Sequence, residues 1–273
     1  MSEIFKKFSL EGRVALVTGG AGLLGMEFCL TLAQAGAQVY VADLDEQAAH
    51  RVAGEITKQP CQPFGIHLDV TNPDSVSSVI DRIIQQSGCL DILVNSAALD
   101  PKFDPENVGT ASNAFEDYPL DSWQAALNVN LTGPFLVSQA AAREMVRNKK
   151  GSIINICSTY GLGGPDQRIY EKPGQEKVYK PVYYTVTKAG ILGLTKYLAT
   201  YYADSDIRVN ALTPGGVFNS HDETFVKNYS ARTVMGRMAH KDEMNGALLF
   251  LASDASSYMT GGNVIVDGGW TAW

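Results

Sequence analysis

Tyr184 and Lys188 are spaced so that a phenol and an ammonium could meet on one face of a helix. They stand in the stretch VYYTVTKAG, residues 182–190, and Tyr183 has only Thr187 four residues after it. Residues four apart in a helix lie on the same face. Because a nearby cation favours the phenolate, this pair could take or deliver a proton. The alternative is an ordinary amphipathic helix, in which Tyr and Lys are common.

A glycine-rich loop near the N-terminus could hold a phosphate group. The stretch VTGGAGLLG joins a predicted strand at 13–19 to a predicted helix at 22–36. Glycines at such a turn permit close backbone approach to a pyrophosphate, which then lies at the positive helix N-terminus. The alternative is a turn that only packs the helix on the strand. The glycines concerned are Gly19, Gly20, Gly22 and Gly25.

A carboxylate at the end of the second predicted strand, residues 37–43, indicates which nucleotide the loop would bind. Asp43 stands at the distance expected of the acidic residue that accepts hydrogen bonds from the adenosine ribose. Its charge would repel a 2′-phosphate. The glycine loop contains no Arg or Lys, and Leu44 follows Asp43. NAD is therefore favoured over NADP.

Strand and helix patterns alternate along the chain, which predicts a single α/β domain over 1–273. We expect a Rossmann-type doubly wound fold with a mainly seven-stranded parallel sheet and helices on both faces. The predicted strands are 13–19, 37–43, 64–69, 90–98, 151–158, 207–215 and 263–269, and the helices 22–36, 45–58, 73–86, 120–149 and 183–203.

Composition excludes several functional classes. The 273 residues carry a formal net charge of -7, which argues against a nucleic-acid partner. No apolar run approaches the ~18 residues of a membrane span, and the N-terminus lacks the apolar core of a secretory signal. The histidines show no metal-ligand spacing. The scattered cysteines indicate reduced thiols in a cytoplasmic protein without a metal site; they are Cys29, Cys61, Cys89 and Cys157.

Landmarks in a fixed order make the whole chain resemble the short-chain dehydrogenase/reductase family. After the glycine loop comes Asp69-Val70, and then Asn95-Ser96-Ala97-Ala98, where the family usually has NNAG. NVNLTGPF contains Asn130, and INICSTYG contains Ser158. The series continues with the Tyr184/Lys188 pair, the Pro214-Gly215 turn and the terminal VDGGW.

The resemblance implies roles for these residues in oxidising an alcohol with a nicotinamide cofactor. Tyr184 would transfer the proton, and Ser158 would bind the substrate oxygen. Lys188 would lower the pKa of Tyr184 and hold the ribose, and Asn130 would hold a water that links Lys188 to solvent. Taken singly, Ser158 could be a strand-end hydroxyl and Asn130 a helix-bending amide. The implied cofactor contacts are Gly19, Gly22, Leu23, Leu24, Gly25, Asp43, Leu44, Asp69, Val70, Asn95, Ala97, Tyr184, Lys188, Pro214, Gly215 and Val217.

Two departures from the family pattern concern the cofactor and the substrate. Leu23 stands where compact members have glycine, and TGxxGxxG resembles the extended branch instead. Ser158 and Tyr184 are also about twice as far apart as is usual in the family, because the segment 159–181 is long. It should wall the substrate pocket together with a loop at 99–119, while 216–240 should form a lid.

Polar side chains in both loops predict a hydroxylated or anionic substrate, although they could be solvated surface charge. They are Asp166, Gln167, Arg168, Glu171, Lys172, Lys177 and Lys180 in one loop, and Lys102, Asp104, Glu106 and Asn107 in the other. The loop and insertion together resemble dehydrogenases of bacterial surface-glycan and nonulosonic-acid pathways, which implies a sugar or sugar derivative. The alternatives are a general polyol or secondary-alcohol dehydrogenase and a catalytically silent NAD-binding protein. Asp43 and the polar loops disfavour a fatty-acyl reductase. The resemblance also implies a homodimer or homotetramer.

Overall fold

Seven parallel strands form the centre of the protein, in a computed structural model that describes residues 2–56, 63–100, 113–172 and 174–273. Their order across the sheet is β3-β2-β1-β4-β5-β6-β7. The strand order therefore reverses between β1 and β4, and open α/β sheets bind ligands at such a topological switch point. The strands are β1 Val14–Thr18, β2 Gln38–Asp43, β3 Phe64–His67, β4 Ile92–Asn95, β5 Lys150–Ile156, β6 Asp206–Pro214 and β7 Asn263–Val266.

Helices cover both faces of the sheet, which confirms the predicted doubly wound α/β fold. Along β1, Ala15 and Val17 belong to one apolar core while Val14 and Leu16 belong to the other. This alternation follows from the two-residue period of a strand. The helices are α1 Glu3–Lys6, α2 Leu23–Gln34, α3 Glu46–Ile56, α4 Pro73–Ser87, α5 Leu120–Leu127, α6 Gly133–Asn148, α7 Val182–Tyr201, α8 Glu223–Ser230 and α9 Asn245–Ala252.

The predicted helix at 120–149 runs from Leu120 to Asn148 with helical backbone angles at each junction, but its hydrogen bonding changes in the middle. A π-helical turn, Asn128–Thr132, separates α5 from α6, and the Gly133 N–H donates to the Asn128 carbonyl five residues back. Pro134 lies in the first turn of α6. Proline has no N–H, so it cannot donate to the carbonyl of Asn130, the acceptor four residues before it. The local sequence thus disturbs the helical hydrogen bonds at the predicted active-site asparagine.

One predicted strand ends earlier than expected because of a tertiary contact. The predicted strand 90–98 stops at Asn95, since the next two N–H groups, of Ser96 and Ala97, donate to the Thr18 hydroxyl at 3.1 and 3.2 Å. The 159–181 segment contains two short 3₁₀ turns, Thr159–Gly161 and Gln167–Tyr170.

Within the described ranges, no helix is long and apolar enough to cross a membrane. The same residues contain no group of three or more His, Cys, Asp or Glu side chains that could hold a metal ion. Cys29, Cys89 and Cys157 are free thiols, and Cys61 lies outside the described residues.

Candidate active site

The glycine loop combines a packed part with an open part. Gly19 has a left-handed φ of +63°, and a Cβ there would lie 2.7 Å from the Cα of Ala97. A Cβ at Gly25 would overlap the carbonyl oxygen of Gly19, so both glycines are required by packing alone. Gly22, in contrast, is exposed and caps α2 without any side-chain hydrogen bond. The N–H groups of the first turn of α2, including those of Leu23 and Leu24, therefore lack a side-chain cap at the mouth of the loop.

Asp43 connects the end of β2 to this loop. Its carboxylate accepts hydrogen bonds from the Ala21 N–H at 3.0 Å and from the Asp45 N–H at 3.2 Å. The neighbouring Leu44 is exposed. Asp69, after β3, accepts from the N–H and the hydroxyl of Thr71 at 2.8 and 2.7 Å. Asp43 and Leu44 thus lie beside the glycine loop, at the edge where the sequence predicts the adenosine end of a dinucleotide.

Asn95 uses its side chain inside the protein. Its amide donates to the Ser138 hydroxyl at 2.9 Å and to the Asn155 side-chain oxygen at 2.8 Å, and the residue is buried. A cofactor contact of Asn95 would therefore have to come from its backbone. Val70 is buried against Gly133, where a Cβ would lie 2.8 Å from its side chain.

Asn130 binds the loop that leaves β4. Its side-chain oxygen accepts from the Leu99 N–H at 2.7 Å, and its amide donates to the Leu99 carbonyl at 3.0 Å. The side chain is buried, and it has a further contact of 3.5 Å with the Thr187 hydroxyl of α7. The side chain of Asn130 therefore has a positioning role that the sequence did not reveal, and a bound water would have to use its backbone carbonyl.

Ser158, Tyr184 and Lys188 are brought together at the carboxyl end of β5. The Ser158 side chain lies close enough to the Tyr184 hydroxyl to lower the pKa of that phenol. The buried Lys188 ammonium lies 5.8 Å from the centre of the Tyr184 ring and donates to the Ile156 carbonyl at 2.9 Å. Tyr183 is buried and packs on Tyr118, with ring centres 6.1 Å apart. Of the two adjacent tyrosines, Tyr184 is therefore the one that lies beside Ser158 and Lys188.

Burial has the largest effect on the pKa values of Tyr184 and Lys188. It raises the pKa of Tyr184 well above the ordinary value, Asp100 acts in the same direction, and the Ser158 side chain lowers that pKa. Burial also lowers the pKa of Lys188. The expectation that Lys188 and a bound cofactor together lower the pKa of Tyr184 stays a prediction. Burial disfavours the charged phenolate more strongly than the neighbouring polar groups stabilise it.

A second lysine lies against the same tyrosine. The Lys180 ammonium is 4.1 Å from the centre of the Tyr184 ring and forms an ion pair with Asp100. The side-chain amide of Gln167 accepts from the Lys180 N–H at 2.9 Å and donates to the Lys180 carbonyl at 3.3 Å. Lys180 is one of the loop residues that the sequence predicts for a hydroxylated or anionic substrate, but its ion pair with Asp100 was not predicted. Helical spacing could not reveal the contact with Tyr184, because Lys180 lies before the start of α7 at Val182.

The segment 216–240 packs against the long insertion. Lys172 pairs with Asp222 at 3.1 Å, and Arg232 pairs with Asp166. Aromatic rings from both segments form one cluster with the C-terminal region; its buried members are Tyr160, Ile169, Tyr170, Tyr229 and Met238, and Tyr184, Phe225 and Trp270 pack against them. The wall over Tyr184 is therefore built jointly by both segments. Residues 101–112 of the other predicted wall lie outside the described residues, with Lys102, Asp104, Glu106 and Asn107.

The Pro214-Gly215 turn sits at the base of this segment. A Cβ at Gly215 would lie 2.7 Å from the Cα of Asp267, so backbone packing requires glycine there. Val217 pairs with Ala239 in an isolated bridge. A cavity of ≈ 120 Å³ is lined by residues of the turn and of 229–268. A larger groove of ≈ 490 Å³ lies between Arg168, Arg232 and Trp273, and none of the predicted catalytic residues lines it.

Comparison with known proteins identifies the family. The family described as Enoyl-(Acyl carrier protein) reductase matches residues 21–271. The chain is 33% identical over 264 residues to a 3-oxoacyl-[acyl-carrier-protein] reductase of Thermotoga maritima, which covers 95% of this chain and 98% of the relative. The chain belongs to the short-chain dehydrogenase/reductase family, and it is an oxidoreductase that acts on CH–OH groups.

Two further proteins similar to this chain act on different alcohols. One is a cyclopentanol dehydrogenase of Comamonas sp., 34% identical over 270 residues, which are 96% of this chain and 98% of the relative. The other is a crystal structure of a gluconate 5-dehydrogenase from Burkholderia cenocepacia in complex with NADP and tartrate. It has a TM-score of 0.84 and 32% identity over 98% of each chain. The family and the chemistry at carbon are therefore shared, while the alcohols differ.

Proposed function

We propose that this protein transfers hydride between NAD and a secondary alcohol or ketone of a polar substrate, a sugar or sugar derivative. The observation that carries the proposal is that Ser158 and the buried Lys188 both lie beside Tyr184, with the Lys188 ammonium 5.8 Å from the centre of the tyrosine ring. This group lies at the carboxyl end of the sheet, on the edge that bears the glycine loop.

The chain offers a fitting site for a dinucleotide. Gly22 leaves the N-terminus of α2 open, and such a terminus favours a negative group. Asp43 lies next to this loop and provides the carboxylate that distinguishes a ribose hydroxyl from a 2′-phosphate. The related gluconate 5-dehydrogenase structure contains NADP, so the preference for NAD rests on Asp43 in this chain. The other cofactor contacts implied by the sequence, among them Leu23 and Val217, remain predictions.

Proton transfer is the task of the chain's own residues. Bound nicotinamide supplies the hydride acceptor or donor. Ser158 would hold the substrate oxygen against the Tyr184 hydroxyl, and Tyr184 would take its proton as the base. Because burial and Asp100 raise the pKa of Tyr184, the protein alone favours the neutral phenol. Lys188 would bind the ribose hydroxyls, as its ammonium has three donors and Ile156 accepts one.

The polar wall supports a hydroxylated substrate. Lys180 lies against the ring of Tyr184, and Asp100 and Gln167 both bind Lys180. The narrower assignment to surface-glycan or nonulosonic-acid pathways stays a prediction that rests on the glycine loop and the insertion. A general secondary-alcohol dehydrogenase is the second candidate, favoured by the 34% identity to a cyclopentanol dehydrogenase. We further propose a cytoplasmic homodimer or homotetramer, which light scattering of the purified protein would test.

A substrate screen tests the proposal. Free sugars, sugar acids, sugar phosphates, nucleotide sugars, polyols and cyclic alcohols are each offered with NAD and with NADP, and reduced nicotinamide is followed by absorbance. We expect NAD to be reduced with a hydroxylated substrate, and NADP to serve poorly. Turnover of cyclopentanol alone would favour the second candidate. Binding of NAD by calorimetry without turnover of any alcohol would contradict the proposal.

A further inference from the structure

We propose that Lys180 is the specificity-determining residue of the substrate pocket and binds a carboxylate carried by the substrate. This inference rests on the proposed function, because it concerns the alcohol that Tyr184 would oxidise. The carboxylate would lie only a few bonds from the reacting carbon, since Lys180 contacts the face of the ring whose hydroxyl takes the proton.

The position of Lys180 is fixed by the insertion. Its side chain is only 9% exposed, and its ammonium lies 4.1 Å from the centre of the Tyr184 ring. Gln167 binds both backbone groups of Lys180, at 2.9 and 3.3 Å. A cation held in this way is pre-organised, and a ligand that binds it does not have to order a flexible side chain.

The hydrogen bonds of Lys180 are incomplete for a buried cation. An ammonium has three donors, and within the described part of the chain its one hydrogen-bond acceptor is Asp100. The side chain of Asp100 is 54% exposed, whereas that of Lys180 is not. Because the ammonium of Lys180 is buried and Asp100 is exposed, a substrate carboxylate can join Asp100 as a second acceptor and give this cation a further hydrogen bond.

The charge of the surroundings selects a carboxylate over a phosphate. Lys188, the other nearby ammonium, already donates to Ile156 and is assigned to the ribose hydroxyls in the proposed function. Asp100 remains beside Lys180 and would repel a dianion more strongly than a monoanion. One cation with two donors that no acceptor among the described residues binds therefore matches a single carboxylate.

Binding measurements test the proposal without requiring turnover. Two hydroxy acids, gluconate and 4-hydroxycyclohexanecarboxylate, are titrated by calorimetry into the full chain with saturating NAD. Their uncharged amides serve as matched probes of the same shape. We expect at least one acid to bind at least tenfold more tightly than its amide. Lys180→Met should abolish that difference, Lys180→Arg should restore part of it, and Asp100→Asn should strengthen acid binding.

Lys177→Met is the matched control, because Lys177 is 65% exposed in the same segment and pairs with Glu171 at 3.1 Å. It should leave the ratio of acid to amide affinity unchanged. Melting curves of both lysine variants separate a loss of fold from a loss of recognition. Equal binding of acids and amides by the wild-type protein, or an acid preference that survives Lys180→Met, would overturn the proposal. If the carboxylate proposal is overturned in this way, turnover of a neutral alcohol by the same preparation would show that the proposed oxidoreductase function is still correct.

Discussion

The side-chain amide of Asn130 binds both backbone polar groups of Leu99: it accepts from the Leu99 N–H at 2.7 Å and donates to the Leu99 carbonyl at 3.0 Å. Leu99 precedes Asp100, the ion-pair partner of Lys180. The π-helical turn at 128–132 therefore does more than bend the helix, because it presents an amide that fixes the loop after β4. The backbone carbonyl of Asn130 also receives no helical hydrogen bond from residue 134, because Pro134 has no N–H.

Asn130→Ala should weaken both the fold and the site. Two hydrogen bonds to a part-buried backbone are lost, which costs about 1–3 kcal/mol of unfolding free energy. We expect kcat/KM to fall as well, because Leu99 and Asp100 lose their anchor. Denaturant unfolding and steady-state kinetics measure the two effects.

Asn128→Ala is the control for this change, since among the residues that the structure describes the Asn128 side chain accepts only from the exposed Gln124, at 3.2 Å. It should alter the unfolding free energy by no more than about 0.5 kcal/mol. Equal effects of the two substitutions would contradict the positioning role of Asn130.

Asp43→Asn should shift the cofactor preference toward NADP. An amide keeps an oxygen that can accept from the Ala21 N–H but loses the charge that repels a 2′-phosphate. We expect the ratio of kcat/KM for NADP to that for NAD to rise about tenfold or more, equivalent to about 1.4 kcal/mol. Asp45→Asn removes a charge two residues away and should leave the ratio unchanged. An unaltered ratio in Asp43→Asn would mean that this carboxylate does not select the cofactor.

The pH dependence of alcohol oxidation should move in opposite directions in two variants. The base form of Tyr184 is its phenolate, so kcat/KM for oxidation should increase as the pH rises through the pKa of Tyr184 in the complex with NAD. The Ser158 side chain lowers that pKa and Asp100 raises it. Ser158→Ala should therefore move the rising limb to higher pH, and Asp100→Asn should move it to lower pH. Limbs that shift in the same direction would contradict this assignment.

Gly25→Ala should destabilise the protein whether or not it binds a nucleotide. The added Cβ would overlap the carbonyl oxygen of Gly19, and such overpacking costs typically about 1–3 kcal/mol or more. Gly246→Ala, in α9, has no atom within 4 Å of the new Cβ and should be neutral or stabilising by up to about 1 kcal/mol. Thermal melting without cofactor compares the two. A Gly25→Ala protein as stable as the wild type would show that the loop packs differently.

The sheet could be predicted because its strands are short apolar runs bounded by glycine or aspartate, and parallel strands are buried on both faces. The Tyr184/Lys188 pair could be predicted because it depends only on helical spacing within α7. The Asn130–Leu99 and Lys180–Asp100 contacts could not, since each joins segments that are distant in sequence. The direction of the Tyr184 pKa shift was also hidden, because burial is a tertiary property.

The most direct test of the central claim compares Tyr184→Phe with Tyr183→Phe. Both remove one hydroxyl from adjacent tyrosines, but Tyr183 packs on Tyr118 while Tyr184 lies beside Ser158 and Lys188. With NAD and the best alcohol of the screen, Tyr184→Phe should lower kcat by about 10²–10⁴-fold, the usual contribution of a positioned base. Tyr183→Phe should retain activity within a few fold, with unchanged NAD affinity in both. Full activity of Tyr184→Phe, or a larger loss in Tyr183→Phe, would contradict the account.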